Sequence, residues 1–116
     1  MAEYQNLNLS AAHTGIFAEL PIVKSATTSR VVVNNPLLRV VVFAFDTGQE
    51  LTEHATPRAV IVQLNSGKMS FTIDGEESTL DAGDIVYLAP GTPHALRALE
   101  PCHLTLTLVD TAYNAE

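Results

Sequence analysis

A chain of 116 residues has room for one domain, and 47% apolar with 16% charged residues describes a packed globular interior rather than disorder. Thirteen acids against six bases give a net charge of −7 with no basic run, which argues against nucleic acid and anionic membrane surfaces as partners. Cys102 is the single cysteine, so an internal disulfide is excluded, and no apolar run approaches the length of a bilayer crossing. The first residues lack the basic patch and apolar stretch of a secretion signal, so the expected location is cytoplasmic.

Residues 1–30 are the least readable part and are expected to form an arm over the domain or an added edge strand. Short runs rich in Val, Ile, Leu, Thr and Phe then recur between turn residues. Val31-Val32-Val33 stops at Asn34-Asn35-Pro36, and Leu38 to Phe45 stops at Asp46-Thr47-Gly48. Ala59 to Leu64 is followed by Asn65-Ser66-Gly67. Lys68 to Ile73 alternates polar and apolar residues into Asp74-Gly75, a strong two-residue hairpin signal. Ile85 to Leu88 runs into Ala89-Pro90-Gly91-Thr92-Pro93. Cys102 to Val109 alternates strictly, which turns Leu104, Leu106 and Leu108 to the core with Cys102, and His103 outward. No 3.6-residue period intervenes, so the expected class is all-β: a single antiparallel β-barrel spanning residues 1–116 as one domain, with its core at 38–109.

Two glycine-framed segments carry chemistry. Gly48 precedes His54 by the spacing G-x5-H and the segment closes at Gly67; Gly83 precedes Gly91 and His94 in the order G-x7-G-x2-H. Together they resemble the paired motifs of the cupin superfamily, small bacterial single-domain cupins in particular. The resemblance implies the jelly-roll barrel, or double-stranded β-helix, of that family. It also implies that His54 and His94 lie in the barrel mouth, at two of the four positions where the family binds a divalent metal.

The other two ligand positions are occupied by Thr56 and Val60, and the second motif has Ala89 for its proline and Ala98 for its asparagine. Valine cannot ligate, and a neutral hydroxyl is a poor replacement for imidazole. Any zinc, iron, nickel or manganese is therefore expected to be weakly held by His54 and His94 alone, since three or four protein ligands are usual. The expected ligand pocket is His54, Thr56, Val60, Val62, His94 and Leu96, an apolar concavity with few polar groups.

The remaining candidates read as structural. Gln63 should face away from Val60 and Val62 unless a bulge intervenes at Asn65-Ser66. Cys102 is expected to be a small apolar filler, His103 and His13 surface or interface groups, and Arg58 and Arg97 solvated.

Two functions follow from the resemblance. One is a binding protein for a small organic ligand, with or without a loosely held metal, and the missing ligands favour it. The other is a metal-dependent enzyme of dioxygenase or isomerase type, which needs a further protein ligand. A homodimer is expected, because Ile16, Phe17, Leu20 and Ile22 crowd apolar side chains that a partner subunit would cover.

Overall fold

The alternating runs are realised as nine antiparallel strands among residues 4–112, the part of the chain that the computed structural model describes. In chain order they are β1 (Thr27–Asn34), β2 (Leu38–Phe45), β3 (Glu50–His54), β4 (Ala59–Ser66), β5 (Lys68–Ile73), β6 (Glu76–Asp81), β7 (Ile85–Leu88), β8 (His94–Ala98) and β9 (Cys102–Val109). No helix occurs among the described residues.

The strands form two sheets, β1-β2-β9-β4-β7 and β3-β8-β5-β6. The all-β, antiparallel expectation is met. The jelly-roll expectation is met in its coarser form: the strands lie in two sheets, neither of which closes on itself, and the core is held between them. Phe45, Leu64, Leu104, Met69 and Phe71 are fully enclosed there. Burial of such side chains contributes roughly 1.5–3 kcal/mol each and is the main force holding the sheets together.

Strands β3 and β6 were not legible as strands, whereas the alternation from His94 through Leu96 and Ala98 is realised in β8. The sequences of β3 and β6 give the reason. β6 buries only Leu80, and in β3 only Leu51 reaches the core, so neither shows an apolar face long enough to read. The β5–β6 hairpin follows its signal closely. Ile73 pairs with Glu76, and Asp74 (φ 50°) with Gly75 (φ 84°) supplies the two left-handed residues that a type I′ turn requires.

Residues 4–26 form the arm, and β1 begins earlier than the arm boundary at residue 30 implied. The arm lies on the outer face of the five-stranded sheet, where Ile16, Phe17, Leu20 and Ile22 pack with Val32, Val42 and Ala44. Those four side chains thus pack on their own subunit, Leu20 buried and the other three partly so. Gln5 anchors the near end: its N–H donates to the Asn34 carbonyl (2.7 Å) and its side-chain oxygen accepts from the Asn34 N–H (2.9 Å). Among the described residues no helix is long and apolar enough to cross a membrane.

Candidate functional site

His54 ends β3 and His94 begins β8, and a local irregularity brings them together. Leu51 pairs with Leu96, and strict alternation would then set Glu53 opposite His94. A β-bulge between Leu51 and His54 inserts one extra residue, so His54 takes that place. The imidazole centroids lie 4.3 Å apart at an interplanar angle of 58°, with the Phe71 ring parallel to His94 at 6.2 Å. His94 is 6% exposed, whereas His54 is open to solvent.

The two rings are oriented in the same way. His54 Nδ1 is 2.8 Å from the Thr52 carbonyl, and His94 Nδ1 is 2.9 Å from the Thr92 carbonyl. A carbonyl oxygen can only accept, so each Nδ1 must carry hydrogen. In the neutral rings each Nε2 is then a lone-pair acceptor. The strand sequence thus fixes both tautomers through a backbone oxygen two residues back, the kind of support that orients imidazoles for a ligand.

The loops that flank the pair are tied to each other. The Gly91 N–H donates to the Thr56 carbonyl (2.7 Å), while Thr56 Oγ1 accepts from the Arg58 N–H (3.2 Å). Asp74 N–H donates to the Pro93 carbonyl (3.0 Å) and closes the third side. Thr56 is half-buried beside the pair's loops. Val60, Val62 and Leu96 belong to the interior cluster, Val60 at only 2% exposure. Val60 fills the family's carboxylate position as a core side chain. Among the described residues no group of three or more His, Cys, Asp or Glu side chains could hold a metal ion. Two imidazoles alone do not fit a tightly resident divalent centre.

Other candidates lie elsewhere. Gln63 is exposed and pairs with Ile85 and Thr105, while the bulge at Asn65 falls beyond it. Cys102 is fully buried, and burial pushes its thiol up from the ordinary range. His103 faces outward as alternation requires, but the arm covers it. Arg97 is exposed and lines a shallow concavity of about 310 Å³ on the outer face of the four-stranded sheet, together with Glu50, Thr72 and Glu77. His13 lines another, about 370 Å³, between the arm and β1.

One residue near the site escaped the sequence reading. Arg39 shares the inward parity of Phe43 and Phe45 on β2 and pairs with Asn34 and Leu108. The register continues from Leu108 to Val60 and from Val60 to Leu88, one inward row across all five strands. Residues 46–49 alone join β2 to β3, so the start of β2 and the end of β3 lie at the same end of the sandwich. Arg39 and His54 therefore lie toward the same end of the sandwich. The parity was readable, yet a charged residue one place into a strand reads by default as solvated.

The family profile described as Cupin domain matches residues 41–109. No curated protein matches the chain. Among solved structures, a conserved protein of unknown function from Streptococcus pyogenes is similar at 30% identity and a TM-score of 0.82, over 97% of this chain and 98% of that one. KdgF from a Halomonas species is similar at 25% identity and a TM-score of 0.68, over 79% of this chain and 86% of that one. Salicylate 1,2-dioxygenase from Pseudaminobacter salicylatoxidans shares the fold at 20% identity and a TM-score of 0.69, over 76% of this chain but 27% of that enzyme.

Proposed function

The chain belongs to the cupin family, and from that membership we propose that it binds a small organic molecule at the open end of the sandwich, against His54 and His94. The observation that carries the proposal is the matched pair of Nδ1 contacts to Thr52 and Thr92, which leaves two Nε2 acceptors side by side. Such a pair suits a ligand with hydroxyl or amine donors. It also suits a divalent cation, held weakly because two imidazoles leave most of a coordination sphere to water. Val60 and Leu96, at 2% and 5% exposure, would back the site from the core, while Val62 is fully enclosed.

An enzymatic reading, of dioxygenase or isomerase type, needs a third protein ligand or a proton-transfer group beside the pair. The fold likeness to a dioxygenase supports the architecture and not the reaction. Nitrogen-15 NMR of the histidine rings tests the proposal. A diol or divalent zinc should shift both Nε2 resonances and leave both Nδ1 resonances nearly still. Shifts confined to His13 and His103 would reject it.

A further inference from the structure

No acidic side chain among the described residues pairs with Arg39. Among the described residues the ion pairs are Arg30–Glu19 (3.7 Å) and Lys68–Asp81 (3.6 Å), both at the surface. Arg39 takes part in neither, although it is half-buried. Its one side-chain contact is with Asn34, where Nε donates to Oδ1 at 3.3 Å. Asn34 is itself 6% exposed and clamped through its backbone by Gln5. The Nε bond orients the guanidinium, and among the described residues its terminal N–H groups make no hydrogen bond. Its neighbours along the inward row, Leu108, Val60 and Leu88, are apolar. A charge partly removed from water, beside apolar side chains and without a counter-ion, is a costly arrangement unless a ligand supplies the counter-charge.

We propose that Arg39 anchors the carboxylate of the ligand, and that the ligand is a small hydroxycarboxylic acid whose hydroxyl meets the His54–His94 acceptors. The proposal rests on the reading of the histidine pair as hydrogen-bond acceptors. A guanidinium and a carboxylate meet through two parallel N–H···O bonds, which a planar fork held by Asn34 is arranged to make. One positive charge matches one carboxylate; a phosphate dianion would remain half unpaired. Arg39 continues on its row into apolar side chains, Leu108, Val60 and Leu88, which suits a ligand whose body is hydrocarbon. The outward-facing arginine, Arg97, is exposed, so water solvates its charge and no ligand is needed there.

The test uses three probes that each lack one feature: 3-hydroxybutyrate, butyrate and 1,3-butanediol, titrated into the full chain by NMR with chelator present. The wild-type protein should bind the hydroxy acid more tightly than either partial probe. Arg39→Gln should weaken both acids about tenfold or more and leave the diol unchanged. Arg39→Lys should recover part of that loss, because charge returns without the fork. His94→Gln should weaken the hydroxy acid and the diol but spare butyrate. If Arg39→Gln leaves the acids unaffected while His94→Gln weakens the diol, the carboxylate anchor is wrong and the acceptor pair stands. If Arg39→Gln acts and His94→Gln does not, the anchor stands and the acceptor reading fails. Inorganic phosphate binding as tightly as the hydroxy acid would overturn the choice of carboxylate. No shift with any probe at about 50 mM overturns both readings.

Discussion

His103 Nε2 lies 2.7 Å from the carbonyl oxygen of Leu20, eighty-three residues away in the chain. This contact places a hydrogen on Nε2, so the neutral ring accepts at Nδ1, where the Ser66 hydroxyl stands at 3.2 Å. The same hydroxyl accepts from the His103 backbone N–H (3.1 Å), and the Phe17 ring covers the imidazole at 4.8 Å. One side chain thus fastens the arm to the sheet through both nitrogens and a ring face.

His103→Ala should therefore cost about 1–3 kcal/mol, the range for orphaning a buried hydrogen-bonding group. The loss should be local as well as global. Amide exchange measured by mass spectrometry should quicken over residues 16–22 before it quickens in β4 or β9. An unchanged exchange rate in the arm would show that its apolar side chains hold it without the histidine.

Gly67 is confined more tightly than any other glycine of the chain. Its φ is 86°, and a Cβ there would stand 2.2 Å from the Pro101 carbonyl oxygen and 2.9 Å from Cys102 Sγ. Gly67→Ala should destabilise by more than about 2 kcal/mol, because backbone must move to admit the methyl group. Gly48→Ala, at the same φ with open space around it, should cost about 1–2 kcal/mol for the left-handed conformation alone. Denaturant midpoints at unchanged m-value would establish the order; the reverse order would show that the Pro101 contact relaxes freely.

Thr56 and Val60 stand where the family's further ligands would be, one half-buried and the other in the core. Val60→Glu alone should destabilise by roughly 2–5 kcal/mol, since it puts a carboxyl among Leu88 and Leu108 without a partner. Combined with Thr56→His, it should raise zinc or nickel affinity well above wild type, with the midpoint of thermal unfolding climbing as metal is added. A double variant whose midpoint ignores metal would show that these two positions do not converge with His54 and His94.

Burial raises the Cys102 thiol above its ordinary range, and its S–H donates to the Lys68 and Glu100 carbonyls (3.0 and 2.9 Å). The folded state thus keeps its proton at a pH where the unfolded state has lost it. The stability contributed is complete below the unfolded thiol's range and declines as pH rises through it, by up to about 1.4 kcal/mol per unit. Cys102→Ala should remove that alkaline slope in urea unfolding. A thiol reagent such as DTNB should label native protein at pH 8 only at the rate of unfolding. Rapid labelling of the folded protein would contradict the enclosed position.

The sequence by itself determined the class of this fold, its family and the parity of its most apolar strands. Period-2 alternation in Lys68–Ile73 and Cys102–Val109 is dictated by which side chains must leave water, so core and solvent faces could be assigned without coordinates. The Asp74-Gly75 turn was equally legible, because only residues tolerant of positive φ fit it. What tertiary structure decided is where alternation breaks or where packing outranks propensity. The bulge in β3 depends on pairing with β8, and it alone sets His54 rather than Glu53 against His94. Polar strands such as Glu76–Asp81 hold their conformation through ladder bonds to a neighbour, which leave no mark on their own residues. The arm's apolar cluster could have covered a partner or its own sheet, and only the position of Val32, Val42 and Ala44 chose between them. Arg39 shows the same limit: its parity is local, but that no described acid pairs with it becomes visible only in the tertiary fold.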